Sequence, residues 1–445
     1  METAARALAR FASGLQLADV PALDVERATQ CLVDAVGVAL LGASMPWAQT
    51  VRRYAEHYGA AGTSRVIASP VRVSAPMAAL ANGVATHAFE QDSLRKPGAG
   101  VHPGAALMPV ALALGEELHS SGAEVVAAIV AGCETMFRIG MASRHSSESL
   151  GFHAPGLTGP FGAAIVAGRL LRLDAGQLCQ ALGIAGSLCS GVLAFAKADN
   201  GAMVKRLHLG RAAESGILAA RLAGSGFEGP DTILEGGFGF LEVYCAESDP
   251  GLLTAGLGEK WETRNLCIKR YPCHVTAHTP VESARALRDE HRFAADDVTA
   301  IRVRASAKVV SHHAAREAHD VMAAQYSVPF CVAIALAGDA DDPLAFGERA
   351  LANPQIAALA AKVACEIWPD APSGWASELF ITLRDGRTLQ RACDDFPGTP
   401  TQPLSSRQLE EKFLRCAGGY ASAPVLFEQL QGISGIADVA TLSLG

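Results

Sequence analysis

The sequence predicts an α+β protein, built from a large all-helical domain and a smaller α+β domain. Over residues 4–224 the apolar residues mostly recur at helical spacing, between breaks that contain Gly or Pro. Residues 298–310 instead alternate apolar and polar side chains, as half-buried strands do. Residues 379–392 contain two such runs around Asp385-Gly386, and this arrangement predicts a β-hairpin.

The order of these segments predicts the domain organisation. Residues 1–264 form the helical domain, residues 265–395 form the smaller domain, and residues 396–445 return to helical spacing and complete the first domain. The predicted helices of the first domain cover residues 25–41, 77–88, 104–118, 123–143, 159–171, 175–195 and 209–224. Those predicted later in the chain cover residues 326–337, 346–361, 405–416 and 424–430.

Composition narrows the classes of function. The net charge of −8, without a basic tail, argues against nucleic acid or an anionic membrane as a partner. The eleven cysteines form no Cys-x-x-Cys pair, which predicts a reduced chain in the cytoplasm. The longest charge-free stretch, residues 175–196, is broken by Gln, Ser and Gly, so it predicts buried helices rather than a membrane span. A small anionic substrate stays compatible with these features, because a pocket can be locally basic in an acidic protein.

Polar residues concentrate first in residues 87–93, which include Glu90 and Asp92, and then at His102. A helix is predicted to start just after His102, and its free N–H groups could hold a substrate carboxylate. The alternative is a capped helix with a solvated loop. The second stretch has His153 and Thr158 in a Gly/Pro-rich loop before another helix, which fits an anion cradle or a general acid. A lone histidine, however, is more often structural.

The third stretch contains Lys205, Arg206 and His208. Cations at the start of a helix oppose the helix dipole, so their presence predicts a bound anion, with a surface basic cluster as the alternative. Candidate substrate-binding residues are Arg206 and His208 from this stretch, Thr158 from the second, and Lys269 and Arg270 from the fourth.

The fourth stretch continues to His274 and His278, which share one helix face if a helix begins at Pro272. Such a pair can ligate zinc, with His312-His313 as a source of a third ligand. Val275 stands where zinc metalloproteases have Glu, however, so the sequence predicts no metal. The chain also lacks a Gly-x-Ser-x-Gly elbow, a Walker loop and a dinucleotide-binding fingerprint, so no cofactor is predicted.

Taken in order, these stretches resemble the MmgE/PrpD family, which includes 2-methylcitrate dehydratase, cis-aconitate decarboxylase and iminodisuccinate epimerase. The resemblance spans residues 5–420. It is carried by Asn82-Gly-x-x-x-His87, His102-Pro, Gly151-x-His153, Lys205-Arg-x-His208-x-Gly-Arg-Ala-Ala, and Tyr271-Pro-Cys with His278. It implies a homodimer whose active site lies in a cleft between the two domains. The residues it places there are His102, His153, Lys205 and one or both of His274 and His278.

The chain departs from the family in one segment. Where the family commonly has Asp-x-Asp-Asp, this sequence has Glu90-Gln-Asp92-Ser93. The acidic role therefore falls to Glu90 or to Asp92, and both join the candidate catalytic residues. The substrate is expected to be a small polycarboxylate, which need not be that of the named members.

The leading hypothesis is a metal-independent hydro-lyase that eliminates water from a hydroxylated di- or tricarboxylic acid. Lys205 and Arg206 would stabilise charge developing on the substrate carboxylate, and histidines or Glu90 would move protons. The sequence leaves open a cis-aconitate-type decarboxylase, an iminodisuccinate-type epimerase, and a catalytically inactive carboxylate-binding homologue.

Overall fold

The computed structural model describes residues 2–197 and 202–444. The chain forms two compact units, one of Met1–Ile268 with Ser406–Gly445 and the other of Lys269–Ser405. Their limits fall four and ten residues after the predicted domain boundaries, at 268 against 264 and at 405 against 395. The fold class is the predicted one, with a helical unit and a smaller α+β unit.

The first unit is built mainly from helices. Its elements before residue 269 are α1 Ala4–Gly14, α2 Ala22–Gly42, α3 Pro46–Tyr58, β1 Ala61–Arg65, β2 Arg72–Val73, α4 Ala75–Thr86, β3 Leu94–Arg95, α5 Pro103–Leu118, α6 Gly122–Ala142, α7 Ala154–Leu170, α8 Ala175–Ser187, α9 Val204–Gly224, α10 Phe240–Tyr244 and β4 Leu266–Cys267. The short strands pair antiparallel, β1 with β2 and β3 with β4. By length and composition α6 could cross a membrane, but 94% of its apolar window is buried, as expected of a core helix.

The second unit has a four-stranded sheet in the order β6-β5-β7-β8, with β5 and β6 parallel and the other pairs antiparallel. Its elements are α11 His278–His291, β5 Val298–Ala305, α12 Ala307–His312, α13 Val321–Tyr326, α14 Val328–Ala337, α15 Glu348–Leu351, α16 Pro354–Ala361, β6 Val363–Ile367, β7 Ser377–Leu383 and β8 Thr388–Cys393. The predicted hairpin is present between β7 and β8, and Gly386 has a φ of 90° in its turn. The chain then returns to the first unit as α17 Ser406–Ala417, which packs on α2, and α18 Ala423–Gln431.

Several predicted elements are shorter than expected because local side chains end them. The helix expected over 326–337 is two helices, since Ser327 leaves helical geometry and its hydroxyl accepts a hydrogen bond from the Phe330 N–H. In the same way, Asn353 caps α16 and divides the helix expected over 346–361. The strand expected over 298–310 ends at Ala305, and α12 follows it. The helix expected over 175–195 ends at Ser187.

A close approach of two helices positions the candidate site in the first unit. Helix α9 packs chiefly against α7 and α4. A Cβ on Gly83 of α4 would lie 2.8 Å from the Gly210 Cα of α9, so a larger residue there would push the helices apart. This contact brings the end of α4, at His87, towards the first turn of α9.

Candidate active site

Asp92 lies between two imidazoles in the first unit. His87 follows the last turn of α4, and His102 is the residue just before α5. The Asp92 carboxylate is 3.0 Å from His87 Nδ1 and 2.8 Å from His102 Nδ1, both measured to the same oxygen. Asp92 and His87 are fully buried, whereas 16% of the His102 side chain is exposed.

The charge of Asp92 fixes the tautomers of both rings. Burial alone would raise the pKa of Asp92, but the His87 and His102 imidazoles lower it well below its ordinary value, so Asp92 is ionised. Burial also lowers the pKa of His87 well below its ordinary value, so this ring is neutral. Because an ionised carboxylate only accepts, each ring donates through Nδ1–H, and a neutral ring then has a lone pair on Nε2. His87 Nε2 has no hydrogen-bond partner among the described residues.

Glu90 and Lys205 form a buried ion pair between the loop after α4 and the first turn of α9. Only 2% of Glu90 and 3% of Lys205 are exposed. Glu90 also has a φ of 56°, a left-handed conformation that costs a residue with a Cβ about 1–2 kcal/mol. The strained backbone directs this carboxylate towards Lys205, at the position where the sequence departs from the family pattern.

His153 and His208 form the third contact of the site. Their Nδ1 atoms are 3.0 Å apart, so a single hydrogen lies between the two rings. Burial lowers the pKa of His153 to about 3 and that of His208 to about 4, so both rings are neutral at pH 7. Phe195 packs edge-on against both rings, with centroid distances of 5.5 and 5.9 Å. A Cβ on Gly191 would lie 2.9 Å from His208 Nδ1, so this glycine leaves room for the ring.

Two of the predicted substrate-binding residues, Arg206 and Thr158, make contacts within the protein. The Arg206 guanidinium donates to the Ala202 carbonyl at 3.1 Å and lies 5.2 Å from the Trp47 ring centroid. The Thr158 hydroxyl donates to the Gly100 carbonyl, 2.9 Å away, and so holds the loop that leads to His102. Contact of either residue with a substrate stays a prediction.

The predicted anion cradle at the start of α5 is partly filled by the protein itself. The Gly104 N–H, in the first turn of this helix, donates to the Ser93 hydroxyl at 3.1 Å. Ser93 belongs to the segment in which the sequence departs from the family pattern.

The fourth stretch lies in the second unit, and its predicted helix is wrong. Helix α11 begins at His278 and not at Pro272, and a 3-10 turn, Val275–Ala277, precedes it. His274 is the capping residue of that turn, since its Nδ1 accepts from the Thr276 N–H at 3.4 Å. The two histidines therefore do not share the helix face on which a zinc site would have depended.

His278 is fully buried and bonded to its own segment. Its Nε2 accepts from the Tyr271 N–H at 3.3 Å, so its Nδ1 carries the hydrogen and donates to Cys273 Sγ at 3.6 Å. Burial would raise the pKa of the Cys273 thiol. A hydrogen bond from Cys331 and the contact with His278 outweigh burial and lower that pKa to about 5.

The two cations of the fourth stretch are buried or neutralised within the second unit. Arg270 forms a bidentate pair with Asp341, at 2.7 and 2.9 Å, and also contacts Glu282 at 3.1 Å. Lys269 is 3% exposed. His312 is exposed, whereas His313 is buried and stacks on His274 with 4.2 Å between ring centroids.

Two family comparisons cover almost the whole chain. The MmgE/PrpD N-terminal domain matches residues 6–253, and the MmgE/PrpD C-terminal domain matches residues 271–426. The chain belongs to the MmgE/PrpD family. The match confirms the resemblance that the ordered motifs predicted.

Curated relatives share one activity name. A cis-aconitate decarboxylase from Mus musculus is 29% identical over 407 residues, which cover 87% of this chain and 81% of that protein. The Homo sapiens cis-aconitate decarboxylase is 29% identical over 426 residues, covering 90% and 85%. One from Aspergillus terreus is 28% identical over 439 residues, covering 92% and 88%. These similarities support the prediction that this MmgE/PrpD protein is a lyase.

One member of the site was missed among the candidate catalytic residues. His87 was quoted only as part of a family motif, yet it is one of the two imidazoles bonded to Asp92. The available signal was its position five residues before Asp92, at the end of an apolar helix.

Among the described residues, the ligand atoms of His87, Asp92 and His102 are close enough together to hold a metal ion, since they lie within 4.8 Å of one another. Both imidazole contacts to Asp92 have the lengths of ordinary hydrogen bonds, so these three residues form a proton-sharing cluster. Independence from metal stays a prediction for this family member.

Proposed function

We propose that this MmgE/PrpD protein is a metal-independent lyase that decarboxylates a small unsaturated tricarboxylate of the cis-aconitate type. The observation that carries the proposal is a neutral, hydrogen-sharing pair, His153 and His208, next to the buried Lys205 of the same site. The names of the relatives favour decarboxylation over the dehydration predicted from the sequence. Dehydration stays a prediction.

The chemistry needs a stabilised carbanion and a proton donor, but no base. When CO₂ leaves, the electrons of the broken C–C bond pass through the neighbouring C=C bond and spread onto the carboxylate conjugated with it. Lys205, already buried and paired with Glu90, is a cation that can stabilise this developing charge. An imidazole N–H then supplies the proton that forms the new C–H bond, and substrate carboxylate plus one proton gives product plus CO₂.

The acidic residues support the same assignment. Asp92 is engaged by two imidazole Nδ1–H groups, and Glu90 is paired with Lys205, so both carboxylates already serve to orient cationic or polar partners. His102, the more exposed of the two rings on Asp92, has its tautomer set by that carboxylate and is a further candidate for proton transfer. The groups available to act on the substrate are therefore one buried cation, Lys205, and several imidazoles oriented by hydrogen bonds.

The test uses purified, chelator-treated protein with cis-aconitate, 2-methylcitrate, citrate and malate. Of these four compounds, we expect only cis-aconitate to release CO₂, and the rate of release should be the same with and without chelator treatment. A gain or loss of the ultraviolet absorbance of a C=C bond, without CO₂ release, would indicate a hydro-lyase. Absence of turnover, with tight polycarboxylate binding, would assign an inactive binding homologue. Lys260→Met, which removes an exposed lysine of the same unit, is the matched control for variants of the buried lysine.

We further propose a cytoplasmic homodimer with a small polycarboxylate as its ligand and without nucleic-acid or membrane partners. The support is the net charge of −8 and the family resemblance. Light scattering of the purified protein at micromolar concentration measures its mass directly. A mass close to that of one 46.2 kDa chain would overturn the dimer.

A further inference from the structure

Decarboxylation consumes one proton for each CO₂ released, and the His153–His208 contact indicates where that proton is held. The two Nδ1 atoms are 3.0 Å apart and share one hydrogen. A neutral imidazole is a very weak acid, so a neutral pair by itself would protonate carbon slowly. A pair that carries one additional proton would be a far stronger acid.

We propose that His153 and His208 act as one proton-holding pair, which takes up a proton when a polycarboxylate binds and delivers it to the carbanion that forms when CO₂ leaves. This inference rests on the proposed function. In the loaded pair both Nε2 atoms carry hydrogen, and the third hydrogen lies between the two Nδ1 atoms. Transfer of the His153 Nε2 hydrogen to carbon returns the pair to its neutral form, and solvent supplies the next proton.

The surroundings of the two imidazoles distinguish an inner ring, His153, from an outer ring, His208. His153 lies towards the Asp92 cluster, since its ring centroid is 6.1 Å from that of His87. His208 lies nearer to solvent, because Val204 and Arg211, about one turn before and after it on α9, are exposed. The inner ring is therefore the donor to substrate, and the outer ring acts through it.

The charges around the His153–His208 pair explain why its uptake of an additional proton would depend on a bound polycarboxylate. Burial keeps both rings neutral in the free protein, and Lys205, one turn before His208 on α9, opposes protonation of that ring. His102 opposes protonation of His153, whereas Glu148 and Asp92 favour it. A bound tricarboxylate would bring up to three negative charges to the site, and an opposite charge within about 4–6 Å raises an imidazole pKa. A charge-assisted N–H···N hydrogen bond would further favour the loaded pair.

The first experiment measures proton uptake without requiring turnover. Tricarballylate, a saturated tricarboxylate, is titrated calorimetrically into the full-length protein at pH 7.5, in buffers with different heats of ionisation. We expect about one proton taken up per ligand bound by the wild type, since loading adds one hydrogen, at the bare Nε2, to a pair that already shares one between its Nδ1 atoms. His208→Gln, whose amide still donates to His153 Nδ1 but does not titrate, should take up almost none. His57→Gln removes an exposed imidazole and should keep the wild-type uptake.

The second experiment separates a proton-holding role from a structural one. In His208→Gln we expect kcat for CO₂ release to fall about 10²-fold, while KM changes much less. His208→Asn serves if the glutamine variant does not fold, as judged by circular dichroism. Equal proton uptake in wild type and variant, or a KM effect without a kcat effect, would overturn the inference. Proton uptake by the wild type without CO₂ release from cis-aconitate would instead refute only the decarboxylase proposal.

Discussion

The histidines of the two units differ in what their ring nitrogens contact. In the first unit, His87 and His102 bind the Asp92 carboxylate, and His153 binds His208. In the second unit, the histidines of the fourth stretch contact backbone N–H groups and neighbours in their own segment. A carboxylate or imidazole partner allows a proton to move between titratable groups. In the fourth stretch each ring has one nitrogen held by a backbone N–H, although His278 also contacts the Cys273 thiol through Nδ1.

This difference predicts proton transfer in the first unit and a structural role for the histidines of the fourth stretch. His278 accepts a backbone N–H through Nε2, so that nitrogen is already engaged in its own unit. His102 and His87, by contrast, receive their orientation from Asp92 through Nδ1 and keep Nε2 for another role. We therefore expect substitutions in the first unit to change activity most, and those in the second unit to change stability most.

The largest effect is expected for Lys205→Met. Loss of the cation should lower kcat/KM for CO₂ release about 10³-fold, because removing one preorganised donor to developing charge typically costs 10²–10³. It should also destabilise the fold by about 3–5 kcal/mol, since Glu90 stays buried after the loss of its ion pair with Lys205.

The double variant Glu90→Gln/Lys205→Met distinguishes the two losses. It removes both charges, so urea unfolding should recover most of the stability while activity stays low. Recovery of activity together with stability would mean that Lys205 acts only through the fold. Lys260→Met provides the reference for both measurements.

A smaller loss, about 10²-fold in kcat, is expected for Asp92→Asn. The amide nitrogen would donate where two imidazoles also donate, so one ring would have to change its tautomer. Steady-state assays of CO₂ release would measure this loss. Asp385→Asn, in the exposed hairpin turn, is the control, and equal activity of the two variants would refute the role of the cluster.

Acid should destabilise the first unit through its neutral histidines. The folded-state pKa values of His153 and His208 lie at about 3 and 4, below the unfolded value near 6.5, so the unfolded chain binds more protons below pH 6.5. Stability is therefore fully present above that pH and is lost as pH falls towards the folded values. Between pH 6.5 and 5, each ring should account for about 2 kcal/mol of lost unfolding free energy.

Urea unfolding at several pH values measures the slope of the unfolding free energy against pH. His153→Gln should flatten it, whereas His57→Gln, which removes an exposed ring, should leave it as in the wild type. An unchanged slope in His153→Gln would show that this ring is not buried in its neutral form.

The smallest effect is expected in the second unit, for Arg270→Lys. A lysine keeps the charge but loses the bidentate geometry with Asp341, so the unfolding free energy should fall by about 1 kcal/mol. Urea unfolding and KM are measured together. A large rise in KM without loss of stability would instead support the sequence-based prediction that Arg270 binds substrate.

The predictions from the sequence succeeded where local pattern was sufficient. Helical spacing located α2, α4, α5 and α6 within a few residues, and Asp385-Gly386 located the hairpin. It did not single out α3, and it extended α8 beyond its end at Ser187. The errors arose where one side chain interrupts a periodic run. Ser327 divides a predicted helix by capping the next one, and Ala305 ends a strand that the alternation extended to residue 310.

The sequence by itself determined the family, the fold class and most of the chemically active residue types, because these depend on ordered motifs and periodicity. Only the tertiary structure decided which of those residues meet. Glu90, in the loop after α4, reaches Lys205 of α9 because these two helices approach closely at Gly83 and Gly210. His153 reaches His208 across 55 residues of sequence. Spacing alone grouped His274 with His278, but the actual start of α11 separated them. Hydrogen bonds between distant segments depend on packing geometry, and local sequence does not encode that geometry directly.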